Sequence, residues 1–169
     1  MVWNIGCTKK YSSMIYIFDT NSLASLKHIY PARFPTFWQD FEGLVRAGEV
    51  LSVREVYREL EVWDINPHIR IWMADHKGIF LPPTQEETDF VSEIFKVPSF
   101  RALVDQQKIL RGGPVANPFL IASAKINSGC VVTEESQREK IIRIPNVCKH
   151  FGVSCCNFEG FLESNGWEY

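Results

Sequence analysis

Short apolar runs separated by helical segments are the feature that most constrains the fold of this chain. Residues 15–18, 79–81 and 130–133 are apolar runs of three or four residues, too short for buried helices. Residues between these runs have apolar side chains at helical spacing. Because strands that alternate with helices form parallel sheets covered on both faces, we predict a three-layer α/β/α fold with a mostly parallel central sheet. We expect one domain, from residue 14 to residue 169.

The segment before Met14 differs from the rest of the chain. It is mixed polar and lacks the apolar core of a signal peptide. We interpret residues 1–13 as a polar N-terminal tail, and Met14, directly before the first strand, as a suitable native start. No apolar stretch approaches the roughly 18 residues that a membrane span requires, so we expect no membrane association.

Composition limits the classes of function. Of 169 residues, 46% are hydrophobic and 22% are charged, which is typical of a globular protein with a sizeable core. The formal net charge is −2, whereas a protein that coats nucleic acid by bulk charge would be basic. Any role in nucleic-acid binding must therefore come from a local site.

The five cysteines are odd in number, and no two have the C-x-x-C spacing of a zinc site or a redox motif. Several lie in apolar runs. We therefore interpret Cys7, Cys130, Cys148, Cys155 and Cys156 as reduced thiols of the core, and not as metal ligands or catalytic groups. Reduced thiols favour a cytoplasmic location.

Polar and acidic residues follow the predicted strands. Asp19 directly follows the first strand, Glu59 lies on the helix after the second, and Glu135 follows residues 130–133. Asn117 begins the helix that leads into that last strand. Because ligands of open α/β sheets bind at the carboxyl ends of the strands, we expect these side chains to converge there.

Clustered carboxylates require a cation, because like charges raise one another's pKa. Oxygen ligands suit Mg²⁺ or Mn²⁺. Such ions can activate a water and stabilise the leaving oxygen in phosphodiester cleavage.

Each of these residues also has a purely structural explanation. Asp19 begins an Asp-Thr-Asn sequence, which is favourable in turns, and Asn117 is a suitable N-cap because proline follows it. Glu59 could be an ordinary acid on a helix surface, and Glu134 and Glu135 could be solvated loop charge. From the residues alone, a metal site and an ordinary surface both stay open.

Glu55 lies one turn before Glu59 on the same helical face. The spacing from Ser52 to Glu55 predicts a capping box at the start of that helix. We therefore expect Glu55 to have a structural role.

Four stretches taken together resemble the PIN-domain family of metal-dependent nucleases, and more narrowly a small bacterial PIN-like subfamily. The stretches are "YIFDTNSL", "SVREVYREL", "VANPFLIASAKINSGCVVTEES" and "IRIPNVCKHFGV". They occur in the family's order between Met14 and Tyr169. The resemblance implies a single PIN-like domain over residues 14–169.

The resemblance assigns the acidic site residue by residue. Asp19 and Glu59 match the family's first two acids, and Glu135 matches the fourth. The family has aspartate at the third position, where this chain has Asn117. Asparagine keeps an acceptor oxygen but removes one negative charge, so we expect weaker metal binding and weakened or abolished catalysis. An engineered substitution and a native loss of activity are both compatible with Asn117.

The family's activity implies a metal-dependent endoribonuclease that uses Mg²⁺ or Mn²⁺ and leaves a 3′-hydroxyl and a 5′-phosphate. Many members are toxins of toxin–antitoxin pairs, each held inactive by a small protein partner. Three residues are candidates for hydrogen bonds that orient the carboxylates: Thr20, Asn21 and Thr133. Four basic residues are candidates for contacts with the RNA backbone, or otherwise belong to a solvated loop: Arg138, Lys140, Arg143 and Lys149.

Two other classes of function are considered. A non-catalytic PIN-like module would bind a protein or RNA without cleaving it. Unrelated nucleophilic chemistry is disfavoured, because the four histidines have no matching serine elbow or cysteine motif. Trp38 and Trp63 are candidates for a homodimer or antitoxin interface.

Overall fold

The computed structural model, which describes residues 1–7, 13–138 and 141–168, is built around a six-stranded sheet. The strands are β1 (Asn4–Ile5), β2 (Tyr16–Phe18), β3 (Val50–Val53), β4 (Phe80–Leu81), β5 (Cys130–Val132) and β6 (Ser154–Cys156). The predicted α/β fold with a mostly parallel sheet is confirmed.

Helices connect the strands and cover the sheet. They are α1 (Thr20–Ser25), α2 (Pro35–Arg46), α3 (Arg54–Val62), α4 (Pro67–Asp75), α5 (Gln85–Lys96), α6 (Gln106–Leu110), α7 (Asn117–Ile126), α8 (Ile144–Phe151) and α9 (Phe158–Ser164). Shorter 3-10 segments are Leu26–His28, Lys77–Ile79 and Pro98–Leu103. Within the described ranges, no helix has the length and apolar character needed to cross a bilayer.

The strand order is β1-β6-β5-β2-β3-β4. β2 pairs in parallel with β3 on one side and with β5 on the other. The chain runs outward from β2 through β3 and β4, and later returns to add β5 and β6 on the other side. The order therefore reverses between β2 and β5, and such a switch point opens a crevice at the carboxyl ends of the two strands.

The core forms because β2 is buried completely, with Tyr16, Ile17 and Phe18 at 0% exposure. Continuous apolar runs of this kind are typical of strands covered on both faces. The ring of Phe18 packs edge to face on Phe41 of α2 and Phe161 of α9. These contacts hold both helices against the strand that ends at Asp19.

Two residues of the segment predicted as a tail, Asn4 and Ile5, belong to the sheet. Asn4 and Ile5 pair antiparallel with Cys156 and Cys155 of β6, and the Asn4 side chain donates a hydrogen bond to Ser164 Oγ (3.1 Å). Two residues are too few to show a strand period, so edge pairing forms this strand without a sequence signal. Residues 8–12 lie outside the described part of the chain.

The prediction of five reduced thiols is wrong for one pair. Cys7 and Cys130 form a disulfide with a Cα–Cα distance of 5.9 Å, across a sequence separation of 123 residues. Cys148, Cys155 and Cys156 are free and buried. Sequence spacing could not show this pair, because strand pairing at the sheet edge brings the two cysteines together.

Replacement of Gly129 should destabilise the β2–β5 pairing. A Cβ at this position would lie 2.6 Å from the carbonyl oxygen of Ile15, which accepts a hydrogen bond from Cys130 N (2.8 Å). We expect Gly129→Ala to lower the free energy of unfolding by about 1–3 kcal/mol, as overpacking does elsewhere, measured by urea denaturation. Gly43→Ala in α2 is the control, because no atom lies within 4 Å of its added Cβ. Equal unfolding midpoints for the two variants would contradict this explanation.

Candidate functional site

Asp19 lies at the switch point, directly after β2 and beside β5. Its backbone N–H donates to the carbonyl oxygen of Val132 (3.0 Å), which continues the parallel ladder in which Phe18 is opposite Val132. Thr133 directly follows β5, so Asp19 and Thr133 meet side by side. Asp19 is only 3% exposed.

The Asp19 carboxylate is held by hydrogen bonds on both oxygens. Oδ1 accepts from the backbone N–H of Ser22 (2.6 Å), which makes Asp19 the N-cap of α1. Oδ2 accepts from the hydroxyl of Thr133, as expected for a residue that orients this carboxylate. The structural and functional explanations of Asp19 are therefore compatible in one geometry.

Burial raises the pKa of Asp19 to about 7, because desolvation disfavours the charged form. The hydrogen bonds from Thr133 and Ser22 lower the pKa, and the negative charge of Glu135 raises it further. A bound cation would stabilise the ionised form of this buried carboxylate, because its positive charge would offset the lost hydration.

Glu59 is linked to the region of Asp19 by a hydrogen bond from Thr20, the next residue along the chain. The hydroxyl of Thr20 donates to Glu59 Oε2. Glu59 is half-buried on α3. Two residues of α1 thus contact two of the predicted site acids, since Thr20 donates to Glu59 and the backbone of Ser22 donates to Asp19.

Thr133 also links Glu135 to Asp19. Its hydroxyl accepts from the backbone N–H of Glu135 (3.0 Å) while it donates to Asp19. Glu135 Oε2 accepts from the backbone N–H of Ile144 (2.9 Å), at the start of α8. This hydrogen bond at the start of a helix orients the Glu135 carboxylate.

Glu134 and Glu55 have structural partners. Glu134 Oε1 accepts from the backbone N–H of Phe158 at the start of α9 (2.8 Å). Glu55 is buried and pairs with Arg54 (3.1 Å), while its Oε2 has no hydrogen-bond partner within the described residues.

The predicted capping box is absent. Ser52 lies inside β3, where its hydroxyl donates to the carbonyl of Phe18 (2.7 Å). Val53 is instead the N-cap, without a side-chain hydrogen bond. The N-cap is one residue later than predicted, so Ser52 stays within the strand and supports the sheet.

Asn117 is not the N-cap of α7. The N-cap is Ala116, which already has helical backbone angles (φ −87°, ψ −42°), and Asn117 is the first residue of the helix. Within the described residues the Asn117 side chain makes no hydrogen bond. Its amide is therefore not needed by the helix and lines the crevice.

A groove of about 730 Å³ lies beside Asn117 and Glu135, whereas the buried Asp19 is not among its lining residues. Asn21, Asn117, Glu134 and Glu135 contribute oxygen atoms to its lining. The lining also includes three basic residues and one aromatic residue: Lys27, His28, Arg143 and Trp63. The groove thus places an anionic patch next to cationic groups.

A smaller cavity of about 130 Å³ continues past Asn117 to Glu59 and Asp105. Asp105 Oδ1 accepts from the backbone N–H of Gln107 (2.9 Å). The sequence analysis missed Asp105, as well as Lys27 and His28, because none of them follows a strand or belongs to a motif. Asp105 places a carboxylate in the cavity that Asn117 also lines.

The residues predicted to contact RNA divide into different environments. Arg143 lines the groove, whereas Arg138 and Lys149 are exposed and do not line it. Lys140 lies outside the described residues. Asn21 is exposed on the groove, and the hydrogen bond expected from it to a carboxylate is absent from the described part of the structure.

The acidic side chains surround the crevice without closing into a compact set. In the described ranges, the group of three potential ligand residues whose donor atoms all lie within 4.8 Å of one another consists of Cys7, Cys130 and Cys156. The wider spacing of the acids fits a hydrated Mg²⁺ or Mn²⁺, because such ions keep several waters and bind through one or two carboxylates. An oxygen-only donor set is of the type that Mg²⁺ and Mn²⁺ prefer.

Comparison with known proteins identifies one family. The family model described as a domain of unknown function (DUF4411) matches residues 16–169, nearly the whole chain. No curated protein and no solved structure gives a significant match.

The raised pKa of Asp19 predicts how the stability of the metal-free protein depends on pH. Between about pH 4 and 7 the folded state keeps a proton that the unfolded chain has lost, so the free energy of unfolding falls as pH rises. Asp19→Asn keeps a cap acceptor but cannot titrate. We expect wild type to lose on the order of 1–2 kcal/mol more than Asp19→Asn between pH 5 and 7, measured by urea unfolding in chelator.

Glu61→Gln is the control for this measurement, because Glu61 is exposed on α3. It should follow the wild-type pH dependence. The same dependence in Asp19→Asn as in wild type would show that Asp19 titrates normally.

Proposed function

The chain belongs to the DUF4411 family, and we propose that it is a divalent-metal-dependent endoribonuclease of the PIN type. One observation carries the proposal. The buried carboxylate of Asp19 lies at the topological switch point and is joined through Thr133 to Glu135. Through the adjacent Thr20 it is coupled to Glu59. Such a set of oriented oxygens beside a groove suits phosphodiester hydrolysis.

The metal would be held by Asp19, Glu59, Glu135 and the amide oxygen of Asn117. When bound, Mg²⁺ or Mn²⁺ supplies Lewis-acid activation of water and stabilises charge on the phosphate oxygens. The residues of the chain orient the site. Thr133 fixes the Asp19 carboxylate, and the backbone N–H of Ile144 at the start of α8 orients Glu135.

The groove supports a single-stranded nucleic acid as the substrate. Lys27 and Arg143 line it and can pair with phosphates. Trp63 is 41% exposed and lines the same groove, where an aromatic face can stack on an unpaired base. The choice of RNA follows from the resemblance of the motifs to PIN nucleases.

With asparagine at position 117 we expect lower activity than with aspartate. Over the four site positions the formal charge is −3 with asparagine and −4 with aspartate, so the cation binds more weakly. A non-catalytic module that binds RNA or a protein is the second candidate function. The observation that favours it is the loss of this carboxylate at the start of α7.

The resemblance extends the proposal to a toxin that a small antitoxin protein holds inactive in the cytoplasm. Trp63 is an exposed candidate for that interface or for a homodimer. Trp38 is unsuitable, because it is buried and its Nε1 donates to the carbonyl of Ile29 (2.8 Å). In a cytoplasm, glutathione and thioredoxin would keep Cys7 and Cys130 reduced.

Restoring the carboxylate at position 117 should strengthen metal binding and activity. We expect Asn117→Asp to raise the Mn²⁺ affinity on the order of tenfold, because a ligand charge is added, and to produce RNA cleavage. Calorimetric titration and an assay on several single-stranded RNAs measure the two effects. Adding Asp19→Asn to this variant should abolish both.

Asn127→Asp is the matched control, since it adds the same charge at the other end of α7. It should leave Mn²⁺ binding unchanged. Mn²⁺ binding by Asn117→Asp without any cleavage would contradict the nuclease and favour the binding module. If neither the wild type nor Asn117→Asp binds Mn²⁺, the proposed metal site is wrong.

Cationic residues in the groove should contribute to RNA affinity. We expect Lys27→Ala and Arg143→Ala each to weaken RNA binding and to reduce the slope of log K against log salt by about 0.7, measured by fluorescence anisotropy with chelator present. Lys96→Ala is the control, because Lys96 pairs with Glu93 on α5 (2.5 Å). An equal reduction in the control would show that overall charge, rather than the groove, binds the RNA.

A further inference from the structure

Three sulfur atoms form a compact group on the sheet. They belong to Cys7, just after β1, to Cys130, which begins β5, and to Cys156, which ends β6. The three Sγ atoms lie within 4.8 Å of one another, and those of Cys130 and Cys156 are 3.5 Å apart. All three residues are at most 1% exposed.

Backbone hydrogen bonds also fix the positions of these residues. The backbone N–H of Cys7 donates to Asn4 Oδ1 (2.7 Å), and its carbonyl accepts from Asn4 Nδ2 (2.5 Å) and from Ser164 Oγ (3.0 Å). Cys130 and Cys156 are held by the strand ladders on either side. These backbone contacts, in addition to the disulfide, hold the three residues close together.

We propose that Cys7, Cys130 and Cys156, when reduced, bind one soft, low-coordinate cation, with the cuprous ion as the best match. Soft thiolate ligands select such ions. Three sulfurs at about 2.3 Å from a central ion lie about 4 Å apart, as follows from metal–thiolate bond lengths. The Sγ atoms of Cys130 and Cys156 lie close to that spacing at 3.5 Å, whereas those of Cys7 and Cys130 are bonded to each other and must separate after reduction. The described Cys, His, Asp and Glu residues supply no fourth ligand atom to this group, which favours a three-coordinate ion.

The chemistry of the ligands distinguishes this site from the acidic one. All three sulfurs are buried, and binding of a cation would displace any thiol protons. A hard ion such as Mg²⁺ loses its water reluctantly and is a poor competitor in a dry pocket. The proposal does not rest on the ribonuclease assignment.

The disulfide and the metal site exclude each other. A dithiol reductant transfers two electrons and two protons to Cys7–Cys130, which yields two thiols while the reductant becomes a disulfide. Binding of the cation then releases thiol protons to solvent. Oxidation of the apoprotein therefore removes two of the three ligands.

The test uses the full chain, reduced by a dithiol that is then removed under anaerobic conditions. Cu⁺ is titrated in competition with a cuprous chelator, with Zn²⁺ and Mg²⁺ in parallel. We expect one equivalent of Cu⁺ per chain. Cys7→Ser and Cys156→Ser should each weaken binding at least about tenfold, as loss of a metal-site group does elsewhere. Cys148→Ser, which removes another free buried thiol, and Asp19→Asn should retain it.

Several results would overturn the proposal. These are binding of less than half an equivalent, unchanged affinity in Cys156→Ser, and equal affinity in the oxidised protein. If a serine variant fails to fold, X-ray absorption on the wild-type complex decides. Three sulfur neighbours around copper support the site, and two or fewer reject it.

Discussion

The parallel pairing of β2 with β5 is the interaction on which the rest of the structure depends. It places Tyr16 opposite Cys130 and Phe18 opposite Val132, so that the residues that follow, Asp19 and Thr133, meet at the carboxyl edge. The same pairing requires the close approach of Gly129 to the Ile15 carbonyl. Loss of this register would separate the aspartate from the threonine that orients it.

The site combines burial with charge in a way that an ordinary turn does not require. Asp19 is nearly inaccessible, and its carboxyl has a pKa near 7 despite hydrogen bonds on both oxygens. Burial of this acid therefore costs the metal-free fold some stability above about pH 4. A bound cation would offset that cost, so the proposed metal site would explain why an acid is buried at this position.

The parallel sheet could be predicted from the sequence, because a short strand buried on both faces is recognised by a continuous apolar run such as Tyr16–Phe18. The sequence also predicted the convergence of Asp19 and Glu135, since strand ends in a parallel sheet share an edge. Helix starts were less predictable. Ala116 and Val53 are N-caps without any capping side chain, and backbone geometry alone decides such positions.

Contacts between distant segments could not be read from the sequence. The disulfide of Cys7 and Cys130 depends on the two-residue strand β1, whose pairing with β6 has no periodic signal. Asp105 enters the cavity beside Asn117 from a loop, and no motif marks it. In both cases the tertiary path of the chain, rather than local preference, brings the residues together.

The most direct test of the central claim is anomalous diffraction from crystals of the Asn117→Asp variant soaked in Mn²⁺. The account predicts a single strong peak in the crevice, within coordination distance of Asp19 and Glu135, and no such peak when Asp19→Asn is added. Absence of a peak at Asp19, or manganese bound only elsewhere on the chain, would contradict the metal-dependent site.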